Sequence, residues 1–143
     1  MELRVLGCHG GETTRHRCTS FLVDGVVCLD AGAITGALEL EGQLALETVL
    51  VSHAHMDHVR DLATLADNRC QAAKKTLRVA GTAATIQTLR EHLFNGHLWP
   101  DFAKIPLVQG GGPTLEWTVL EPEVGVSFGV HEVLPVLMNH SIE

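Results

Sequence analysis

Short apolar runs separated by turn residues dominate the chain. Leu3–Cys8 reads as an apolar strand, followed by a loop of small and polar residues, His9, Gly10, Gly11, Glu12, Thr13 and Thr14. Ser20–Val23 and Val26–Leu29 are β-prone runs joined by Asp24-Gly25, a pair that favours a tight hairpin. Thr48–Ser52 is continuously apolar and β-branched, as expected of a buried strand. Asp57–Leu65 has apolar spacing compatible with a helix, and Leu77–Ala80 predicts a strand. Thr82–Phe94 predicts a helix in which Ile86, Leu89, Leu93 and Phe94 share one face and Thr82 caps the start. Residues 95–113 form a loop carrying Pro100, Pro106, Pro113 and the run Gly110-Gly111-Gly112. Leu115–Glu121, Val124–Phe128 and Glu132–Met138 predict further strands. Antiparallel strands, then strand-helix-strand-helix, then strands again predict a layered α/β or α+β fold. No repeat or linker divides the chain, so residues 1–143 are expected to form a single domain.

Composition narrows the function. A length of 143 residues suits one domain, and 45% apolar against 19% charged residues excludes a disordered chain. The formal net charge of −7 disfavours nucleic acid and anionic membranes as partners. No apolar run approaches the ~20 residues of a spanning helix. The first residues, Met1 to Gly7, are too short and too charged for a secretory signal, so a cytoplasmic location is expected. The four cysteines form no Cys-x-x-Cys pair and read as reduced, small, buried residues.

The chemistry concentrates in Ser52-His53-Ala54-His55-Met56-Asp57-His58, between the Thr48–Ser52 strand and the following helix. Residues two apart in an extended segment point the same way, so His53 and His55 converge on one cation. The turn into the helix sends Asp57 and His58 elsewhere, toward a second. Imidazole with carboxylate suits zinc, and also manganese or iron. Two such ions ~3.5–4 Å apart hold a bridging hydroxide and clamp the oxygens of a displacement. A catalytic zinc takes three protein ligands, and the best further candidate is His140, in the loop-like Asn139-His140-Ser141. His9, His16, His92, His97 and His131 have no such spacing and read as ordinary surface or core histidines. The ligand set for the second ion is short, which predicts that the chain is the front part of a longer protein.

His-x-His-x-Asp-His after a hydrophobic strand resembles the signature of the metallo-β-lactamase superfamily, and Leu29-Asp30-Ala31-Gly32 resembles its Asp-x-Gly element. Leu6-Gly7-Cys8-His9-Gly10-Gly11, Asp67-Asn68, and Phe94-Asn95 with Leu98-Trp99-Pro100-Asp101-Phe102 resemble one branch, the class II cyclic-nucleotide phosphodiesterases. The resemblance implies an αββα sandwich, here incomplete at the C-terminus. It implies two metal ions, expected to be zinc, and hydrolysis of a 3′,5′-cyclic nucleotide to the 5′-nucleotide. It assigns His53, His55 and His140 to the first ion, and Asp57 and His58 to the second. Asp57 would also orient the attacking hydroxide. Asp30 is implied as a group that orients ligands near the site, with a turn or capping aspartate as the alternative. Asn95, Trp99 and Phe102 would line the nucleotide pocket, the two rings either stacking on the base or plugging the core under the loop. The expected partner is a small-molecule substrate, with a homodimer from the surface a half-sandwich exposes. Two alternatives stay open: another hydrolase on this scaffold acting on a thioester, a lactam or an RNA 3′ end, or a non-catalytic metal-binding fragment.

Overall fold

The Asp24-Gly25 turn closes the first hairpin. Both residues adopt left-handed backbone, φ 48° and 75°, as the central pair of a type I′ turn closed by Val26 N donating to Val23 O requires. In a computed structural model of the chain, which describes residues 1–139, this hairpin joins β2 (Ser20–Val23) to β3 (Val27–Leu29). With β1 (Leu3–Gly7), β4 (Thr48–Leu50), β5 (Leu77–Gly81) and β6 (Leu115–Val119) they form one sheet in the order β1-β2-β3-β4-β5-β6. The β1–β2 and β2–β3 pairs are antiparallel, and β3–β4, β4–β5 and β5–β6 are parallel. A second hairpin, β7 (Val126–Phe128) with β8 (His131–Val133), forms its own two-stranded sheet.

Strand alternation sorts the two faces. Leu6, Leu22, Cys28, Val49 and Val79 pack on one face against Ile34, Leu62, Leu65, Phe94 and Phe102 from helices and loop. On the opposite face Ala80 joins Leu120 and Phe128, with Leu50, Val126 and Val133 beside them. Leu3, Val5 and Leu29 remain exposed there. The described residues thus build one helix-covered sheet with its other face partly covered by the β7–β8 hairpin.

Helical boundaries shift from the sequence reading for identifiable reasons. Two short helices, α1 (Ile34–Ala37) and α2 (Leu40–Ala45), were not expected, and each carries a glycine that weakens the helical signal. The Asp57–Leu65 helix is two, α3 (Met56–Val59) and α4 (Leu62–Ala72). The break falls where other segments take α3's backbone. Thr19 N donates to Asp57 O at 3.1 Å, Ala31 N to His58 O at 2.6 Å, and Asp61 N to Ala31 O at 2.8 Å. Thr82 caps α5 (Ala83–Thr88), its hydroxyl accepting from Thr85 N, and a π-helical turn over Leu89–Leu93 continues the helix. The strand expected over Glu132–Met138 is paired only to Val133; Pro135 lacks the N–H a ladder needs.

Candidate metal centre

Three parallel strands end on the same edge of the sheet, and their C-terminal loops build the site. Asp30 follows β3, the His motif follows β4, and Thr82 follows β5. The crevice outside the carboxyl ends of parallel strands is where such sheets bind ligands.

Asp30 is held in left-handed backbone, φ 59°, a conformation that Asp tolerates better than most residues. Its N–H donates to Leu50 O at 2.8 Å, and its carbonyl accepts from Ser20 Oγ and Cys28 Sγ. The carboxylate, 3% exposed as a residue, is therefore aimed across β4 rather than into solvent. Its Oδ1 accepts from Ser52 N at 2.8 Å, and Ser52 Oγ lies 2.9 Å from both oxygens. Oδ2 meets His58 Nδ1 at 2.7 Å.

These contacts fix the imidazoles. Asp30 Oδ2 takes the Nδ1–H of His58, which leaves a lone pair on Nε2. That Nε2 faces Asp57 Oδ2 at 3.4 Å. Ser52 gives its one hydroxyl proton to Asp30, so it accepts from His53 Nδ1 at 3.0 Å and leaves His53 Nε2 as an acceptor. His53 Nε2 lies 2.9 Å from His55 Nδ1. At that spacing His55 Nδ1 donates to the His53 Nε2 acceptor, a hydrogen bond that brings the two rings together. The rings of His53 and His58 are 4.1 Å apart and those of His53 and His55 4.6 Å.

The donor set fits divalent cations. An imidazole acceptor facing a carboxylate acceptor needs a proton or a cation between them, and the carboxylate–histidine pair behind His58 is the arrangement that orients a metal ligand. Among the described residues, no group of three or more His, Cys, Asp or Glu side chains is set to hold one ion. The two pairs, His53/His55 and Asp57/His58, stand side by side. His140, the expected third partner of the first pair, lies outside the described residues.

Glycine makes the site possible at two positions. A Cβ on Gly32 would fall 1.9 Å from Asp57 O, and one on Gly7 2.0 Å from Cys18 O. The Gly32 approach seats the Asp30 loop against α3 and the start of β2, and the Gly7 approach closes the base of the β1–β2 loop. Beside the motif lies an apolar cavity of about 490 Å³ with Ser52 and His53 on its wall, together with Leu29, Leu50, Thr82 and Leu120.

Asn95, Trp99 and Phe102 are not brought to the His motif. Asn95 Oδ1 accepts from His97 N and Leu98 N, both at 2.9 Å, and ties its own turn. Trp99 packs against the core with its indole N–H on Ala63 O at 3.0 Å, and Phe102 is 3% exposed. Both rings thus lie against the core beneath the 95–113 loop. Ser52, quoted in the motif but given no role from sequence, joins Asp30, His53 and His58. Its position between the strand and the first histidine is the signal that could have marked it.

The arrangement is that of the metallo-β-lactamase fold. The structure of unliganded yeast PDE1 superposes with a TM-score of 0.70 at 16% identity, covering 90% of this chain and 52% of that one. The metallo-β-lactamase fold protein YhfI from Bacillus subtilis superposes at 0.66 with 17% identity, over 92% of this chain and 50% of that one. Within that fold, residues 40–128 match the family model for class-II cAMP phosphodiesterases, and the chain belongs to that family. A 3′,5′-cyclic-nucleotide phosphodiesterase of Schizosaccharomyces pombe is 26% identical over 96 residues, 66% of this chain and 25% of that protein. The chain thus spans about a quarter of that curated relative and half of the two solved structures. No helix among the described residues is long and apolar enough to cross a membrane.

Proposed function

We propose that this chain carries the metal-binding half of a phosphodiesterase that hydrolyses a 3′,5′-cyclic nucleotide to the 5′-nucleotide. One observation carries the reading: Asp30 orients His58 toward Asp57, beside the His53/His55 pair, in a chain of the class-II family. His53 and His55, with His140, would hold one divalent cation, and Asp57 and His58 a second. Zinc is the expected ion, because imidazole nitrogen and carboxylate oxygen are its usual donors. When bound, the ions would supply Lewis acidity toward the phosphoryl oxygens and water of lowered pKa.

The chain's own residues do the rest. Asp30 keeps His58 in one tautomer, and Ser52 does the same for His53. Asp57, in the first turn of α3, presents Oδ2 beside His58 Nε2 and would orient the attacking water. The apolar wall of Leu29, Leu50 and Leu120 lowers the local dielectric, which strengthens each electrostatic contact with the phosphate.

Turnover of cyclic AMP, lost on chelation and restored by zinc, is the expected result. Turnover of a thioester or a lactam in preference to cyclic AMP would assign a different hydrolase on the same scaffold. Metal binding with no turnover of any of the three would leave a metal-binding module.

A further inference from the structure

The loop between β1 and β2 is the most cationic stretch near the site, in a chain of net charge −7. Residues 8–17 read Cys-His-Gly-Gly-Glu-Thr-Thr-Arg-His-Arg, two arginines against one glutamate. That glutamate is neutralised: Glu12 pairs with Arg60, the residue that closes α3. Arg60 also reaches Asp61 Oδ1 at 3.3 Å, so the pair straps the loop to the helix bearing Asp57 and His58. Two further points fix the course of the loop. His9 N donates to Arg17 O at 3.1 Å and closes the loop at its base. Gly10 stands where a Cβ would lie 3.5 Å from Asp57 Oδ2. The loop therefore crosses beside the Asp57 carboxylate and is held there.

Thr13 sets the tautomer of His16 in this loop. Thr13 Oγ1 accepts from Arg15 N at 3.2 Å and His16 N at 3.1 Å. With both lone pairs used, its hydroxyl proton goes to His16 Nδ1 at 3.1 Å. His16 Nε2 then carries the ring proton and is a donor. The His16 ring lies 4.3 Å from that of His9, which keeps the two imidazoles together. Arg15, His16 and Arg17 are all exposed. An acidic surface repels an anionic phosphodiester, and a cationic rim beside the reacting centre reverses that locally.

We propose that the loop Cys8–Arg17 is the phosphate-recognition element of this site, with Arg15, Arg17 and His16 as the donors that hold the anionic group of the substrate. This assignment rests on the phosphodiesterase reading for its substrate, but not for its test.

The test uses zinc-loaded protein in three forms besides wild type: Arg15→Ala with Arg17→Ala, Arg15→Lys with Arg17→Lys, and His16→Ala. Binding of inorganic phosphate is measured by calorimetry at low and high salt, and cyclic AMP hydrolysis in parallel. The alanine pair is expected to weaken phosphate binding about tenfold and to flatten its salt dependence. It is expected to raise KM by a similar factor while kcat changes by less than about twofold. The lysine pair recovers most of the binding, since it keeps the charge, and His16→Ala weakens binding by about threefold. Wild-type protein that binds no phosphate, or an alanine pair that binds it as wild type does, overturns the proposal. Phosphate binding lost in the alanine pair, with no hydrolysis even by wild type, removes the phosphodiesterase reading and keeps this one.

Discussion

Asp30 Oδ2 lies 2.7 Å from His58 Nδ1, and this hydrogen bond decides which nitrogen of His58 faces Asp57. Asp30→Asn keeps the left-handed backbone and the side-chain shape, but removes the charge and can present an N–H to Nδ1. Zinc affinity is expected to fall about 10- to 100-fold, the usual cost of losing such a partner. Competition against a chromophoric chelator measures it. Asp30→Ala should also lower stability: it leaves Ser52 N without its acceptor, ~1–3 kcal/mol, and places alanine in the left-handed region, ~1–2 kcal/mol. A zinc affinity unchanged in Asp30→Asn would remove Asp30 from the site.

Gly32→Ala should injure the site from behind. Its Cβ would fall 1.9 Å from Asp57 O, 2.7 Å from Cys18 Cβ and 2.8 Å from Thr19 N, so backbone must move. Overpacking of this kind costs ~1–3 kcal/mol. The movement would push α3, and with it Asp57 and His58, out of line with His53. The expected outcome is a lowered melting temperature together with weakened zinc binding, read by thermal unfolding with and without metal.

Much of this was legible in the sequence. The hairpin at Asp24-Gly25, the buried β4 strand and the histidine motif at its end all follow from local patterns. Asp30 came only through its resemblance to a known motif, because its work depends on a 28-residue contact with His58. Ser52 carries a positional signal, between the strand and the first histidine, but its partners Asp30 and His58 come from elsewhere in the chain. The break between α3 and α4 was hidden too, since Thr19 and Ala31 take the carbonyls of Asp57 and His58 from far along the chain. The aromatic motif around Trp99 and Phe102 suited either a ligand or a core, and only burial distinguishes them.

Those two rings give a stability prediction. Phe102→Ala removes a fully packed ring and should cost ~3–5 kcal/mol. Trp99→Ala should cost less, because the indole is only partly buried, though it also frees Ala63 O. Neither should alter KM in the protein that remains folded. Chemical denaturation gives the first result and steady-state kinetics the second; a large KM change for Trp99→Ala with intact stability would return the ring to the substrate pocket.

The four cysteines should separate by reactivity. Cys8 is exposed, while Cys18, Cys28 and Cys70 are buried. Burial, with the nearby Asp30 carboxylate, pushes the Cys28 thiol up to about 12, so almost no thiolate forms at neutral pH. Burial also raises Cys18, helped by the negative charges of Asp57 and Asp61. Native protein titrated with a thiol-specific chromophore should show one fast thiol, lost in Cys8→Ser, and the rest only on unfolding.

Acid should loosen the contacts that hold the β2–β3 turn to β1 and to the β7–β8 hairpin. Asp24 accepts from the backbone N–H of Glu2 and lies 2.9 Å from His131 Nε2, so it pins β1 and the β7–β8 hairpin to the first turn. These two contacts, the Glu2 N–H foremost, hold its carboxyl below the ordinary carboxylate range. The sign follows from linkage: an acid whose folded-state value is depressed adds stability above its unfolded value, near 3.9 for Asp, and loses it as pH falls through the folded value. Metal-free wild type should therefore lose melting temperature below about pH 4 more steeply than Asp24→Asn, which keeps the left-handed turn but cannot titrate. At pH 7 the variant should be the less stable of the two, and the gap should close on acidification. Added salt should shrink it, because the carboxylate is exposed and its attraction to His131 is screened. Parallel acid limbs for the two proteins would mean that Asp24 holds neither strand.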